Sequence, residues 1–302
     1  MIKKFIFIIT VSLTLLYSCK AKDDNTSVVN MQEDEKAINN LIISYKNALK
    51  DSSVEKVLSN YTTDAVLMSP DLPTVIGDKI GSAYASIFDS VGIDIDFTLA
   101  NMIVGEKYAF VQSTSDGKAL IRALNQTAPE QNRELFVMQR VNGEWKIARY
   151  MYNKMDALVV ANSVEIVENK SSISSVKDEN EIRNLITSLY RDALASGDSE
   201  AVKNTFASNG VVMPPSSATY RGAENIKENY DNIFNNVFLD LQFDIDEVII
   251  EGDYGFVRST SDGFAKINAT GESFPEVNRE LFIVRKENNN WKIAFYMYNK
   301  MS

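Results

Sequence analysis

Two glutamates and a set of tyrosines are the residues of this chain whose types and spacing could do proton chemistry. Glu134 stands in Asn132-Arg133-Glu134-Leu135-Phe136 and Glu280 in Asn278-Arg279-Glu280-Leu281-Phe282. Tyr150 and Tyr296 follow on the last apolar run of each half. A glutamate buried on a strand has its pKa raised and can serve as a general base on a carbonyl compound. The chain contains no histidine, which excludes histidine triads, histidine metal sites and histidine acid–base work. Any base is therefore Asp, Glu, Lys or Tyr. Neighbouring strand residues point to opposite faces, so only one of Arg133 and Glu134, or of Arg279 and Glu280, can enter a cavity. The competing structural reading makes one member of each pair a cross-strand partner at the sheet rim. Asp116 and Asp262, each in Ser-Thr-Ser-Asp-Gly, read first as hairpin-turn residues.

These residues belong to a stretch that occurs twice. Residues 108–155 align without a gap on 254–301, with 29 identities in 48 positions. Upstream, Ala37, Ile38, Leu41, Ile42, Tyr45, Ala48 and Leu49 form one face of an amphipathic helix. The second copy repeats the face with Ile182, Leu185, Ile186, Leu189, Tyr190, Ala193 and Leu194. Ser52 and Glu55 make a capping-box pattern for a short second helix, whose counterpart starts near Asp198. Gly77 and Gly222 open a third. From there the period becomes two, predicting strands at 93–104, 107–115, 118–125, 133–141 and 144–153. The matching segments are 239–250, 253–261, 264–270, 279–287 and 290–299. Asp116-Gly117 and Asn142-Gly143 are read as hairpin turns. Each copy is thus three helices followed by antiparallel strands, an α+β plan.

At the N-terminus, Lys3-Lys4 precede an apolar run, Phe5 to Leu16, that is too short for a stable span. Leu15-Leu16-Tyr17-Ser18-Cys19 resembles a bacterial lipobox, which predicts cleavage after residue 18 and lipidation of Cys19, the chain's only cysteine. One cysteine allows no intrachain disulfide and no thiolate cluster. The expected layout is signal peptide 1–18, tether 19–30, domain 31–155, linker 156–176 and domain 177–302. Leu158-Val159-Val160, at the start of the linker, is expected to pack on the first domain. The expected location is the bacterial cell envelope, lipid-anchored at the outer membrane, with exposure at the cell surface left open. A net charge of −10 argues against phosphate-backbone binding.

The order of helices, the run Gly77…Tyr84…Phe88, the Asn132–Phe136 segment and the close Trp145-Lys146-Ile147-Ala148-Arg149-Tyr150-Met151-Tyr152-Asn153 resemble the SnoaL-like and DUF4440 group of the nuclear transport factor 2 fold. The resemblance covers both halves. It implies tandem cone-shaped domains, each with helices packed on a curved sheet, a pocket between them, and pairing into dimers. It implies no single activity, since isomerases, dehydratases, cyclases and pure binding modules share the fold. In one well-known enzyme of the fold, a ketosteroid isomerase, an Asp base works with a Tyr and a protonated Asp.

On that plan the pocket lining is Tyr45, Tyr61, Met68, Tyr84, Phe88, Arg133 and Tyr152 in the first domain. In the second it is Tyr190, Phe206, Met213, Tyr230, Phe234, Arg279 and Tyr298. Alternation on the last strand puts Ala148, Tyr150 and Tyr152 on one face and Trp145, Ile147 and Met151 on the other. Both faces are apolar, so one is expected to line the pocket and the other to pack on the second copy as an intramolecular pseudo-dimer. A tyrosine-rich cavity suits a small hydrophobic or aromatic ligand. No phosphate-binding or dinucleotide motif is present, and no cofactor or metal is expected. The favoured reading is a non-catalytic ligand binder. The alternatives are an isomerase or lyase using a pocket Glu or Tyr, and a surface protein-interaction module.

Overall fold

The structure, a computed structural model, describes residues 30–155, 164–169 and 175–301. The expected signal segment, Cys19, the expected tether up to residue 29 and Leu158-Val159-Val160 lie outside the described residues. Among the described residues, no helix is long and apolar enough to cross a membrane.

The first domain runs α1 (Met31–Lys50), α2 (Val54–Ser59), β1 (Tyr61–Met68), β2 (Val75–Ile76) and α3 (Lys79–Ser90). Four long strands follow: β3 (Val91–Val104), β4 (Tyr108–Ile121), β5 (Gln126–Val141) and β6 (Glu144–Lys154). β7 (Glu165–Glu168) comes from the linker and pairs in parallel with β3, so the linker is partly sheet. The second domain opens with one helix in three pieces: α4 (Val176–Asn184), a π-helical turn (Leu185–Tyr190) and α5 (Arg191–Ser196). It continues with α6 (Ser199–Thr205), β8 (Phe206–Met213), β9 (Tyr220–Arg221), α7 (Ala223–Asn236), β10 (Val237–Glu251), β11 (Tyr254–Ile267), β12 (Ser273–Glu287) and β13 (Asn290–Lys300). The sheet orders are β2-β1-β6-β5-β4-β3-β7 and β10-β11-β12-β13-β8-β9. The two domains share one α+β plan, the plan that the resemblance to the nuclear transport factor 2 fold implies.

Several sequence expectations need correction. The sheets are not wholly antiparallel, because β1 and β8, which precede the third helix, pair in parallel with β6 and β13. The N-cap of α2 is Ser53, whose hydroxyl accepts from the Lys56 N–H, while Ser52 takes a left-handed φ of 50°. Leu189 is exposed. Buried positions run 38, 41, 42, 45, 48, 49 in α1 and 182, 185, 186, 190, 193, 194 in the second copy. The second helix therefore carries one extra residue between Ile186 and Tyr190, and the wider π turn absorbs it and turns Leu189 outward.

The largest correction concerns Asp-Gly. Asp116-Gly117 lies inside the continuous strand β4, paired with Asp96 and Ile95 of β3 and with Gln131 and Glu130 of β5. Glycine is required there for close approach, since a Cβ on Gly117 would collide with the Asp94 carbonyl oxygen. Gly263 stands against Asp240 in the same way. The strands turn further on, at residues 122–125 and 268–272. Asn142-Gly143 does form a hairpin turn, with φ of 52° and 86°.

Each domain buries an inner core between helices and sheet. An acid on the first helix ties that helix to the closing strand. Asp34 accepts from Trp145 Nε1 at 3.0 Å and Arg140 Nη2 at 2.6 Å. Asp178 accepts from Trp291 Nε1 at 3.0 Å and pairs with Lys286 at 2.7 Å. The Lys286 ammonium holds the Asp178 carboxyl well below the usual carboxylate range. Asp178→Ala leaves a buried indole N–H unmade and is expected to cost about 2 kcal/mol. A urea titration followed by tryptophan fluorescence checks this, and an unchanged midpoint contradicts it.

A third core joins the two sheets across their outer faces. Val66, Met68, Phe110, Leu135, Val137 and Met151 pack with Val211, Met213, Phe256, Leu281, Ile283 and Met297. Phe110 and Phe256 meet edge to face with ring centres 6.3 Å apart. At the margin, Arg149 makes a bidentate pair with Glu247 at 2.8 and 2.7 Å. Asn169, in the linker, donates to the Glu251 carbonyl at 2.6 Å and accepts from the Asp253 N–H at 3.2 Å.

Candidate functional site

Strand parity decides which side chains enter each cone. On β5, Glu134 lies on the same face as Phe136 and Met138 of the inner core, while Arg133 shares the opposite face with Leu135 and Val137. On β6 the alternation is interrupted: Arg149 pairs with Val137, but Ile147 pairs with Met138. Ala148 is the extra residue of this bulge. Trp145, Ile147, Tyr150 and Tyr152 consequently all belong to the inner core and Met151 to the outer. The expected division of that strand, with Ala148 beside Tyr150 and with Trp145 and Ile147 on Met151's face, is wrong for this reason.

Glu134 is fully buried and stands opposite Tyr152 in the β5–β6 register. Ser113 Oγ donates to its Oε2 at 2.8 Å, and its Oε1 makes no hydrogen bond. Asn132 Nδ2 reaches Ser115 Oγ at 3.3 Å beside it. In the second domain, Ser259 donates to Glu280 Oε2 at 2.8 Å and Ser261 to Oε1 at 2.5 Å, with Tyr298 opposite. Burial pushes both carboxyls up to about 8, more strongly than the serine hydroxyls pull them down. The carboxyls are therefore protonated near neutral pH.

Above the glutamates lies a wall of phenols. Phe136 and Tyr150 stack with centres 4.2 Å apart, as do Phe282 and Tyr296 at 4.3 Å. The hydroxyls of Tyr45 and Tyr84 lie 2.5 Å apart, and those of Tyr61 and Tyr84 3.0 Å apart. In the second domain Tyr190 and Tyr230 meet at 2.6 Å, and Phe206 in place of Tyr61 ends the chain of hydroxyls there. Burial raises the pKa of Tyr45, Tyr84, Tyr150, Tyr190 and Tyr296 well above the ordinary phenol value. Tyr61, Tyr152, Tyr230 and Tyr298 are raised for the same main reason. Tyr152 and Tyr298 are only half-buried and form the accessible edge of each cluster.

The expected lining residues Tyr45, Tyr61, Tyr84, Phe88, Tyr150 and Tyr152 gather in the first cone. Tyr190, Phe206, Tyr230, Phe234, Tyr296 and Tyr298 gather in the second. Met68 and Met213 are not in the cones: on β1 and β8 they share parity with Val66 and Val211 and pack between the sheets. Arg133 and Arg279 likewise lie outside the cones. Arg133 donates to Thr219 Oγ1 at 3.0 Å and to the Pro214 carbonyl, while Arg279 donates to Thr74 Oγ1 at 3.1 Å and to the Ser69 carbonyl. Buried side chains line the interior of each cone. The described larger cavities, of about 690 and 290 Å³, lie outside them. Among the described residues, no group of three or more His, Cys, Asp or Glu is placed to hold a metal ion.

Sequence reasoning missed Ser113, Ser259 and Ser261 as hydrogen-bond partners of the glutamates. Their signal was present as Ser-x-Ser at strand spacing. Placing a turn at Asp116-Gly117 broke the register that sets Ser113 opposite Glu134.

The sequence pattern of the SnoaL-like domain matches residues 186–294. Over those residues the second half of the chain is similar to a SnoaL-like domain. Its tandem partner has the same order of elements. Among solved structures, the chain is similar to a ketosteroid isomerase-like protein of Erwinia carotovora atroseptica SCRI1043, with 34% identity over 38% of this chain and 89% of that one, at a TM-score of 0.36. It is similar to an NTF2-like superfamily protein of Salmonella enterica serovar Typhimurium LT2, with 20% identity over 41% of this chain and 91% of that one, at a TM-score of 0.37. A conserved protein of Planctomyces limnophilus DSM 3776 is 20% identical over 41% of this chain and 98% of that one, at a TM-score of 0.37. No curated protein matches the chain.

Proposed function

We propose that this chain is an envelope lipoprotein whose SnoaL-like cones bind a small hydrophobic or aromatic molecule without transforming it. The supporting observation is the uniform neutrality of the cone interior. Acid–base catalysis uses titratable groups whose environments push their pKa values apart. Here burial drives Glu134 and its surrounding tyrosines the same way, toward their protonated forms. An aromatic wall with a few neutral hydrogen-bonding groups holds a ligand and fixes its orientation. Near neutral pH its carboxyls are mostly protonated and act first as hydrogen-bonding groups. The half-buried edge at Tyr152 and Tyr298 is the proposed way in, the phenols giving way to the ligand. The lipobox-like Cys19 supports the lipid anchor, and the sheet-to-sheet core supports an intramolecular pair in place of a homodimer.

One observation favours the isomerase or lyase reading: each cone holds a buried carboxyl close to tyrosine side chains, Glu134 opposite Tyr152 and Glu280 opposite Tyr298. Native mass spectrometry of the chain purified from its own envelope separates the two readings. The expected result is a retained small apolar molecule that E134Q/E280Q also retains. Turnover of a carbonyl compound that disappears in E134Q/E280Q would overturn the non-catalytic reading.

A further inference from the structure

The two sheets are equivalent strand for strand, but their outer edges end differently. Met102, Ile103 and Val104 of β3 face Val111, Phe110 and Ala109, as Val248, Ile249 and Ile250 of β10 face Val257, Phe256 and Gly255. The first sheet continues past β3 to β7, whereas β10 is the last strand of its sheet among the described residues. β7 sets Ile166 opposite Met102, Val167 opposite Ile103 and Glu168 opposite Val104. Under that cover Met102, Ile103 and Val104 are at most 4% exposed. Their counterparts Val248, Ile249 and Ile250 are only half-buried. An edge of this kind presents unpaired N–H and C=O groups together with apolar side chains.

The cavity of about 690 Å³ opens along this stretch of β10, with Tyr108 of the first domain and Val176 at the start of α4 on its walls. Val176 is 78% exposed, an apolar side chain with little covering it. The cleft runs into the core between the sheets, against which Ile249 and Tyr108 both pack. On the first sheet, Val167 of β7 packs against that same core, and Ile166 against the inner core of the first domain. A strand added to β10 has the same two places to fill. One side chain lies beside Ile249 toward the core between the sheets, and its neighbour lies beside Val248 toward the inner core of the second domain.

The geometry points to a docking edge for an extended peptide of a partner protein. The peptide adds to residues 247–250 as β7 adds to β3, and two consecutive aliphatic residues fill the two places. This surface is separate from the cones and independent of the reading above. Two nearer occupants fit less well. At the spacing that matches Ile38 to Ile182 and Leu41 to Leu185, the segment equivalent to Glu165–Glu168 is Ala21-Lys22-Asp23-Asp24, which has no aliphatic pair. Antiparallel pairing of two copies centred on Ile249 sets Glu247 opposite Glu251, and like charges directly opposite are unfavourable.

Fluorescence anisotropy of the full chain with a labelled peptide of β7's own sequence, residues 164–169, tests this. Two further peptides are N-methylated, one at the positions of Glu165 and Val167 and the other at those of Ile166 and Glu168. Only alternate residues of a guest strand turn their N–H groups toward the host. The expected result is binding at about 0.1 to 1 mM, lost in one methylated peptide and kept in the other. It is also lost when serine replaces both Ile166 and Val167 in the peptide. A photoreactive form of the parent peptide is expected to cross-link to residues 247–251. Absence of binding overturns the proposal, as do equal responses to the two methylations, retention by the serine peptide or a cross-link elsewhere. Binding that appears only when residues 20–29 are scrambled assigns the edge to that segment of the chain. A dimer of the chain that the peptide dissociates assigns it to a second copy. Either outcome overturns a separate partner.

Discussion

The wild-type chain is expected to lose stability as the pH rises from about 5 to about 8, and E134Q/E280Q is expected to abolish most of that slope. Both glutamates have a folded pKa of about 8 against an ordinary value of 4.5. A carboxyl whose pKa is raised by folding holds its proton more tightly in the folded state. Its contribution is fully present below the unfolded pKa and is lost as the pH climbs through the folded one. At about 1.4 kcal/mol per pKa unit, each site sets an upper bound of roughly 5 kcal/mol. Water reaching the site through the half-buried tyrosine edge lowers the real figure, so a combined loss of a few kcal/mol is expected. Glutamine keeps the serine hydrogen bond and cannot ionise, so the double variant should outlast the wild type at pH 8. Urea midpoints measured across this range check it. A wild-type midpoint that is level from pH 5 to 8 removes the argument for neutral glutamates. Asp178 acts in the opposite sense and in another window. Its pKa is lowered, so its contribution is lost only when the pH falls below the ordinary carboxylate range.

The second large effect concerns the outer sheet faces. A polypeptide of residues 175–302 alone uncovers Val211, Phe256, Leu281, Ile283 and Met297, which are at most 3% exposed in the full chain. A contiguous apolar sheet face of that kind marks an association surface. The isolated domain is expected to form a homodimer in sedimentation experiments, with Leu281→Asp returning it to monomer. In the full chain Leu281→Asp places a charge between the sheets. It should cost several kcal/mol and split a single unfolding transition into two. A stable monomeric 175–302 that binds no apolar dye would contradict the pairing.

Much of this was legible from residues alone. The repeat fixed two copies of one plan, and period-two alternation through Arg133-Glu134-Leu135 showed that only one of Arg133 and Glu134 could face a cavity. The wrong assignments share a cause. Local patterns assume an unbroken period, and three single-residue irregularities break it. Ala148 bulges β6 and puts Ile147 and Tyr150 on one face. The π turn at Leu185–Tyr190 absorbs an inserted residue and expels Leu189. Gly117 looked like a turn but serves a close strand-to-strand approach, visible only once β3 lies beside β4.

By itself, then, the sequence determined the architecture and the roster of chemically able residues: two duplicated glutamates, a tyrosine wall and no histidine. Only the tertiary structure decided that Glu134 points inward and Arg133 outward, and that Met68 and Met213 join sheets rather than line cones. The physical reason is that a side chain's pKa and partners depend on burial and register. Both are set by strands and helices far apart in the chain.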